Sequence, residues 1–233
     1  RQAQGNGEQS RTMKVSVVIP TYNEEKTIQT ALENLMTYHK ADEVIVVDGG
    51  SIDNTIVLAK EWTTVIQSEK GRARQMNEGA RQATGDILLF LHADTELPDR
   101  GLEKIMAVIK TGREAGRFRT RFDEDRWSLR LYSSYSRFHL FSYGDQGFFL
   151  TRALFFELGG YHEDVPFEDI DFYKRLRQQT NPVILKDPVI TSARRFCGVG
   201  CLKQKVINLF LVALYYAGFN VFRLKEKLYP EIR

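Results

Sequence analysis

A chain of 233 residues, 42% of them hydrophobic, can bury one good core, so a single domain with a helical tail is expected. Its 33 basic and 30 acidic residues leave a net charge of +3, too small an excess to argue for nucleic acid as a partner. Cys197 and Cys201 make no disulfide framework and, as a lone Cys-x3-Cys pair, a poor zinc site; they fit a reducing, cytoplasmic compartment.

Residues 1–12 are polar, lack the apolar segment of a secretory signal, and read as a disordered tail or an expression remnant ahead of Met13. Val15–Ile19 predicts a strand, with Pro20 ending its pairing. Ile28, Ala31, Leu32, Leu35 and Met36 then recur at helical spacing, and Thr21 and Glu24 are offset like a capping box at the helix entrance. Val44–Val47 predicts a second buried strand. The run Asp48-Gly-Gly-Ser-Ile-Asp-Asn-Thr55 follows, its glycines letting backbone approach a ligand, and leads into a helix carrying Ile56, Ala59 and Trp62. Thr64–Gln67 reads as a third strand, and Gly71–Thr84 as a helix with Ala73, Met76, Ala80 and Ala83 facing inward and Gly85 supplying its C-cap.

Ile87–Leu91 is an unbroken apolar run, which suits a strand covered on both faces of a parallel sheet. Strand and helix alternate four times in the first hundred residues, the pattern of a parallel sheet with right-handed crossovers. Ligands in such sheets bind beyond the carboxyl ends of the strands. His92 and Asp94 fall there, on one side of the chain if the strand continues, in a place suited to a metal and a diphosphate.

A helix is expected over about 100–110, then a looser, arginine-rich stretch from Gly112 to Asp125. The arginines from Arg113 to Arg137 read as a solvated surface. Trp127–Phe141 reads as helical with aromatics on several faces, Gly144–Leu150 as a strand, and Arg152–Leu158 as a helix ending at Gly159-Gly160. Phe167–Phe172 opens another helix, whose first turns hold Glu168, Asp169 and Asp171; carboxylates there suit the helix dipole as well as a site. Pro182–Leu185 and Val189–Ser192 read as short strands, with Arg194 and Arg195 behind them. Val206–Phe222 is apolar except for Asn208, Gly218 and Asn220, and is flanked by lysines and an arginine. It is short for a membrane span, so a helix packed on the domain or on a second chain is the plainer reading and a membrane-surface helix the other.

Several of these segments carry a family resemblance. Ser16–Glu25, the Val-Val-Asp-Gly-Gly-Ser-Ile-Asp run ending at Asp53, the Gly-Arg-Ala-Arg-Gln-Met-Asn run from Gly71, His92-Ala-Asp94, Gly144–Gly147, Leu158–Tyr161 and Phe167–Asp169 resemble, in order, the motifs of family-two glycosyltransferases. The resemblance implies an α/β GT-A (Rossmann-like) fold with a mostly parallel central sheet flanked by helices. Residues 13–200 would form the transferase domain, 13–98 its nucleotide-binding half and 99–200 its acceptor half, with 201–233 a C-terminal helical segment. It further implies inverting transfer of a hexose from a nucleotide diphosphate sugar, with a UDP-hexose the expected donor, to an acceptor hydroxyl, assisted by Mn2+ or Mg2+.

The same resemblance assigns roles. Pro20, Thr21 and Glu24 would line the nucleotide and Asp48 would read the base, whereas Asp53 suits a helix cap. Asp94 would bind the metal, with Ala93 beside it in the donor site. His92 stands where the family's Asp-x-Asp motif has its first aspartate, and contact with the ribose, metal ligation and packing all stay open for it. Met76 stands where many relatives carry arginine, so Arg72 or Arg74 upstream would reach the nucleotide or its phosphates, and Arg194 and Arg195 would grip the diphosphate. Asp145, Gln146 and Gly147 would shape the acceptor pocket, and Asp169, with Glu168 beside it, would be the general base. The acceptor is not named by the sequence. Peripheral contact with the inner face of the membrane and a homodimer through the aromatic tail with Phe210, Tyr215, Tyr216 and Phe219 both stay open. Two other classes compete: a nucleotidyltransferase, which Pro20–Glu25 disfavours by lacking a glycine-rich basic loop, and a non-catalytic nucleotide-sugar-binding module.

Overall fold

The computed structural model describes residues 13–140, 142–194 and, in the C-terminal segment, 207, 210–215, 217–219, 221, 224 and 228. The expectations for residues 1–12, Arg195, Cys197, Cys201 and Tyr216 lie outside the described residues.

Eight strands form one sheet. They are β1 (Val15–Thr21), β2 (Glu43–Asp48), β3 (Val65–Gln67), β4 (Ile87–Phe90), β5 (Thr95–Glu96), β6 (Ala115–Phe122), β7 (Phe148–Thr151) and β8 (Val183–Thr191), in the spatial order β3-β2-β1-β4-β7-β6-β8-β5. The strands β3, β2, β1 and β4 are all parallel. Antiparallel pairing enters at β4–β7 and recurs at β7–β6 and β8–β5, while β6 and β8 are parallel.

Both faces of the sheet are covered, which is why its central strands are mostly apolar on both sides, as in the Ile87–Phe90 run of β4. On one face Val15, Val17, Ile19, Val44, Val46, Ile87 and Leu89 pack with α1 (Ile28–Glu33), α2 (Thr55–Lys60) and α4 (Gly101–Lys110). On the other, Val18, Ile45, Val47, Leu88 and Phe90 meet α3 (Arg72–Gln82), α6 (Arg152–Glu157) and α7 (Glu168–Gln179). Each fully buried phenylalanine or leucine in these layers is worth about 1.5–3 kcal/mol of transfer free energy.

The approach of α3 to the sheet depends on Gly79, where a Cβ would lie 2.3 Å from Val18 Cγ1 and 3.1 Å from Val47 Cγ2. The Gly79→Ala variant should therefore be overpacked. The expected loss is about 1–3 kcal/mol, offset in part by alanine's better helix propensity, and read as a lower urea midpoint at unchanged m-value.

Several local expectations change. Pro20 does not end β1: it lies opposite Val47 and Thr21 opposite Asp48. The β4 partner has already left at Val18, so no ladder bond is asked of Pro20 on that side. With Thr21 still in the strand, the Thr21–Glu24 capping box does not form, and α1 begins only at Ile28, after a turn in which Glu24 O accepts Thr27 N and Ile28 N. The strand β4 stops at Phe90, one residue before the apolar run ends at Leu91, and 92–95 form a turn closed by Thr95 N to His92 O at 3.1 Å. The arginine-rich stretch contains β6, and Arg117 within it is fully buried rather than solvated. The two short strands expected near the end of the domain are one nine-residue strand, β8. A register shift at Phe118/Arg119 absorbs the interruption at Lys186-Asp187. The helix α5 (Trp127–Tyr135) does form, with Leu129 packed against Phe122 and Ala193 while Trp127, Leu131 and Tyr135 are exposed. In the C-terminal segment Leu211 and Val221 are buried and Tyr215 packs edge-on against Phe167. No helix among the described residues is long and apolar enough to cross a membrane.

Candidate functional site

The carboxyl ends of β1 and β2 are joined into a wall by buried polar side chains. Asp48 is fully buried and both of its carboxylate oxygens are engaged by the chain. Its Oδ1 accepts Gly50 N at 2.9 Å and Ser51 N at 2.7 Å, and its Oδ2 accepts Ser51 Oγ at 2.5 Å and Thr21 Oγ1 at 3.1 Å. Asp48 thus builds the 49–51 loop. Gln75, which the sequence reading missed, donates from Nε2 to Thr21 O at 2.7 Å and to Val47 O at 2.8 Å, tying the two strand ends to α3. A Cβ at Gly49 would sit 3.1 Å from that amide, so glycine is what lets Gln75 in.

Beyond the strands the two loops are zipped together. Asn23 N donates to Ser51 Oγ at 2.8 Å, Ile52 N to Asn23 Oδ1 at 3.0 Å, Glu24 N to Thr55 Oγ1 at 2.7 Å and Glu25 N to Asp53 Oδ2 at 3.2 Å. Asp53 Oδ1 accepts Thr55 N at 3.0 Å, an Asx turn just ahead of α2; the N-cap position itself is Asn54, whose side chain makes no capping bond, so the cap expected of Asp53 does not form.

A second corner joins residues far apart in sequence. The β5–β8 pairing, Thr95 with Thr191, and the bond from Ser192 N to Asp94 O at 3.1 Å carry Arg194 to the turn after β4. There its Nη2 pairs with Glu24 Oε2 and lies 3.5 Å from Asp94 Oδ2. Burial works against the Arg194 charge, but the bond to Glu24 and the nearby Asp94 outweigh it and raise its pKa above the ordinary arginine value. Ala93 is buried, and His92 and Asp94 are half-buried at the same turn. Among the described residues no three His, Cys, Asp or Glu side chains group as a metal site.

The third corner is built on the N-terminus of α7. Glu168 and Asp169 are buried in its first turn, where carboxylates are favoured by the helix dipole. Arg72, the first residue of α3, binds both: Nε to Glu168 Oε1 at 2.8 Å and Nη2 to Asp169 Oδ2 at 2.7 Å. Asp169 Oδ2 also accepts Gly144 N at 3.0 Å, from the turn Gly144–Gln146. A Cβ at Gly144 would lie 2.6 Å from that oxygen, and Gly147 closes the turn at φ +58°. Gln146 is buried and its Oε1 accepts Tyr143 N at 3.3 Å, so it shapes the turn that presents Asp145.

Of the two arginines left open by the sequence, Arg72 enters this cluster. Arg74 does not: it pairs with Glu69, and with Glu163 at 2.9 Å, on the surface. Asn77 is a second residue that sequence reasoning missed. Its amide exchanges two 2.8 Å hydrogen bonds with the backbone of Tyr161, and a Cβ at Gly160 would come within 2.7 Å of Asn77 Oδ1. The Gly159-Gly160 pair, read as a helix end, was the available signal.

Residues 16–164 match the family model described as Glycosyl transferase family 2. The undecaprenyl-phosphate 4-deoxy-4-formamido-L-arabinose transferase of Proteus mirabilis is 31% identical over 127 residues, 49% of this chain and 39% of that protein. The dolichol-phosphate mannosyltransferase of Pyrococcus furiosus is 33% identical over 113 residues, 43% of this chain and 31% of that protein. The aligned part thus spans well under half the length of these curated relatives.

Among solved structures, the mannosyltransferase PcManGT from Pyrobaculum calidifontis, in complex with GDP-Man and Mn2+, superposes with a TM-score of 0.66 at 23% identity, covering 89% of this chain and 65% of that one. S. aureus TarS 1–349 in complex with UDP-GlcNAc gives 0.63 at 22% identity, covering 77% and 58%. At such identities the likeness is one of fold, and the fold is GT-A, as the motifs implied. With a match that runs from β1 through the Gly144–Gly147 turn to the approach of α7, the chain belongs to glycosyl transferase family 2.

Proposed function

We propose that this chain transfers a hexose from a nucleotide diphosphate sugar, a UDP-hexose in the first instance, to an acceptor hydroxyl with inversion at the anomeric carbon. The observation that carries this reading is the meeting of Asp94, Arg194 and Glu24 at the carboxyl end of the sheet, beside the zipped 21–25 and 48–55 loops. Three remote parts of the chain converge there on a carboxylate suited to a hard dication and a guanidinium suited to phosphate oxygens.

In this reading the loops that Asp48 and Gln75 hold in shape line the nucleotide, and Arg194 follows the diphosphate as it leaves. Asp169, on the acceptor side, takes the proton of the attacking hydroxyl. Mn2+ or Mg2+, held by Asp94 with His92 beside it, would neutralise the leaving diphosphate. Hard dications take six or more oxygen ligands. The chain's partial donor set therefore calls for the diphosphate to complete the shell, and metal and nucleotide should bind as a unit.

Calorimetric titration with UDP, GDP and their hexose conjugates, with and without Mn2+, tests this. One nucleotide family should bind at least about tenfold more tightly with Mn2+, a difference of about 1.4 kcal/mol, whereas Mn2+ without nucleotide should bind weakly. Asp94→Ala should remove the metal enhancement and leave the metal-free affinity in place. Equal affinities with and without Mn2+ would take Asp94 out of the metal role, and no binding of any of these nucleotides would overturn the proposal.

A further inference from the structure

Arg72 stands at an electrostatically unfavourable place. It is the first residue of α3, whose first turn holds no acidic residue, and a cation there opposes the helix dipole. What compensates it is the first turn of α7, where two carboxylates are at the favourable end of their own helix. The fork of the guanidinium spans both, one nitrogen to each.

The reach between the helices is fixed from behind. Asn77 holds the backbone of Tyr161 with two hydrogen bonds, and Gly160 leaves room for it. This clamp sets α3 against the loop that leads into α7. Asp169 Oδ2 is then gripped from two sides, by Arg72 Nη2 and by Gly144 N–H. The donor corner already has its own guanidinium in Arg194.

We infer that Arg72 is the positioning residue of the general base, orienting the Glu168–Asp169 pair and favouring its charged form, and is not a ligand of the donor diphosphate. The inference rests on the reading of Asp169 as the base. Among the described residues, the charged or titratable groups around the pair include Arg72 on α3, Asp145 on the Gly144–Gln146 turn, Tyr161 before α7, and Asp171 and Arg175 on α7 itself. Burial pulls the Arg72 pKa down, but Asp169, Glu168 and Asp145 overcome it and hold it above the ordinary value, so Arg72 stays charged throughout the working range. Burial, reinforced by Asp169, raises the Tyr161 phenol well above its ordinary value, so it stays neutral there.

The test is the pH profile of kcat for sugar transfer, with nucleotide affinity measured in parallel. An opposite charge beside a carboxylate lowers its pKa, so removing it moves the acidic limb upward; for Arg72→Met the expected shift is about one pH unit or more. The two carboxylates titrate as a coupled pair, and the limb reports their joint value. Arg72→Lys keeps the charge without the fork: the limb should return most of the way while kcat stays below the parent's. Nucleotide affinity with Mn2+ should change less than about twofold in both variants, well under the 1.4 kcal/mol of a tenfold change. Tenfold weaker nucleotide binding with an unmoved limb would overturn the inference and return Arg72 to the diphosphate. An unmoved limb with unchanged affinity would also overturn it. Failure of the underlying reading looks different, since Asp169→Asn would then transfer sugar at the parent rate.

Discussion

Asp169→Asn is expected to lose sugar transfer by about 10^2–10^4-fold, the range typical of a removed general base. The substitution is nearly isosteric. An asparagine at 169 can still accept Gly144 N–H through its carbonyl and stay at the start of α7, where Asp169 is buried. It can no longer take a proton from an acceptor hydroxyl. Nucleotide affinity with Mn2+ should stay within about twofold, because the corner of Glu24, Asp94 and Arg194 proposed for the donor is formed by other elements. The loss should therefore fall in kcat and in kcat/KM alike, the signature of an interaction made only in the transition state. Product formation and calorimetry on the same preparation decide it, and transfer at the parent rate would sink the base assignment.

Much of this site was legible because its signals are local. The apolar run of β4 ends where His92 and Asp94 begin, and the strand–helix alternation alone places them at the carboxyl end of the sheet. The Phe167-Glu168-Asp169 run announces a helix N-terminus, and α7 starts there. What was not legible depends on partners remote in sequence. Asp48 reads as an open carboxylate until Ser51, Gly50 and Thr21 are seen to engage both oxygens, the last from 27 positions away.

Arg72 and Arg74 are indistinguishable in the sequence. Their difference arises because Arg74 finds Glu69 and Glu163 on the surface, whereas Arg72 faces α7. Gln75 and Asn77 tie α3 to backbone atoms 28–84 residues away, through geometry no periodicity reports. The mistaken boundaries have simpler causes. A proline reads as the end of a strand, yet the neighbour of β1 on one side has already departed at that point; in β6 the arginines read as solvated surface, although their alternation with Phe118, Thr120 and Phe122 is itself a strand period.

That alternation does not tell which of the three arginines is buried, and the buried one is the residue whose replacement should most damage stability. Arg117 is fully buried in β6, and its guanidinium donates to Phe118 O at 3.0 Å, Ser136 O at 2.7 Å and Phe138 O at 2.9 Å. Its Nη atoms thus staple the chain after α5 to the sheet, while the ring of Tyr173 on α7 lies 5.6 Å from its Cζ. Burial lowers the Arg117 pKa, and Arg119 adds to that, while Tyr173 and Asp145 oppose it. Arg117→Met would remove the unfavourable burial of charge but leave three carbonyls without their donor. Each buried orphan costs about 1–3 kcal/mol. The relieved desolvation offsets part of this, so a net loss of about 3–5 kcal/mol is expected, a large share of the about 5–15 kcal/mol that holds a domain folded. Arg117→Lys should rescue little, because an ammonium concentrates its donors at one point and cannot span the carbonyls on either side. Arg121→Met, exposed on the same strand, should stay within about 0.5 kcal/mol of the parent. Urea midpoints separate these outcomes, and an Arg117→Met midpoint equal to that of Arg121→Met would refute the staple. The chain it fastens runs on to Gly144, whose N–H helps fix Asp169, so kcat of Arg117→Lys in dilute buffer should fall even where the protein remains folded.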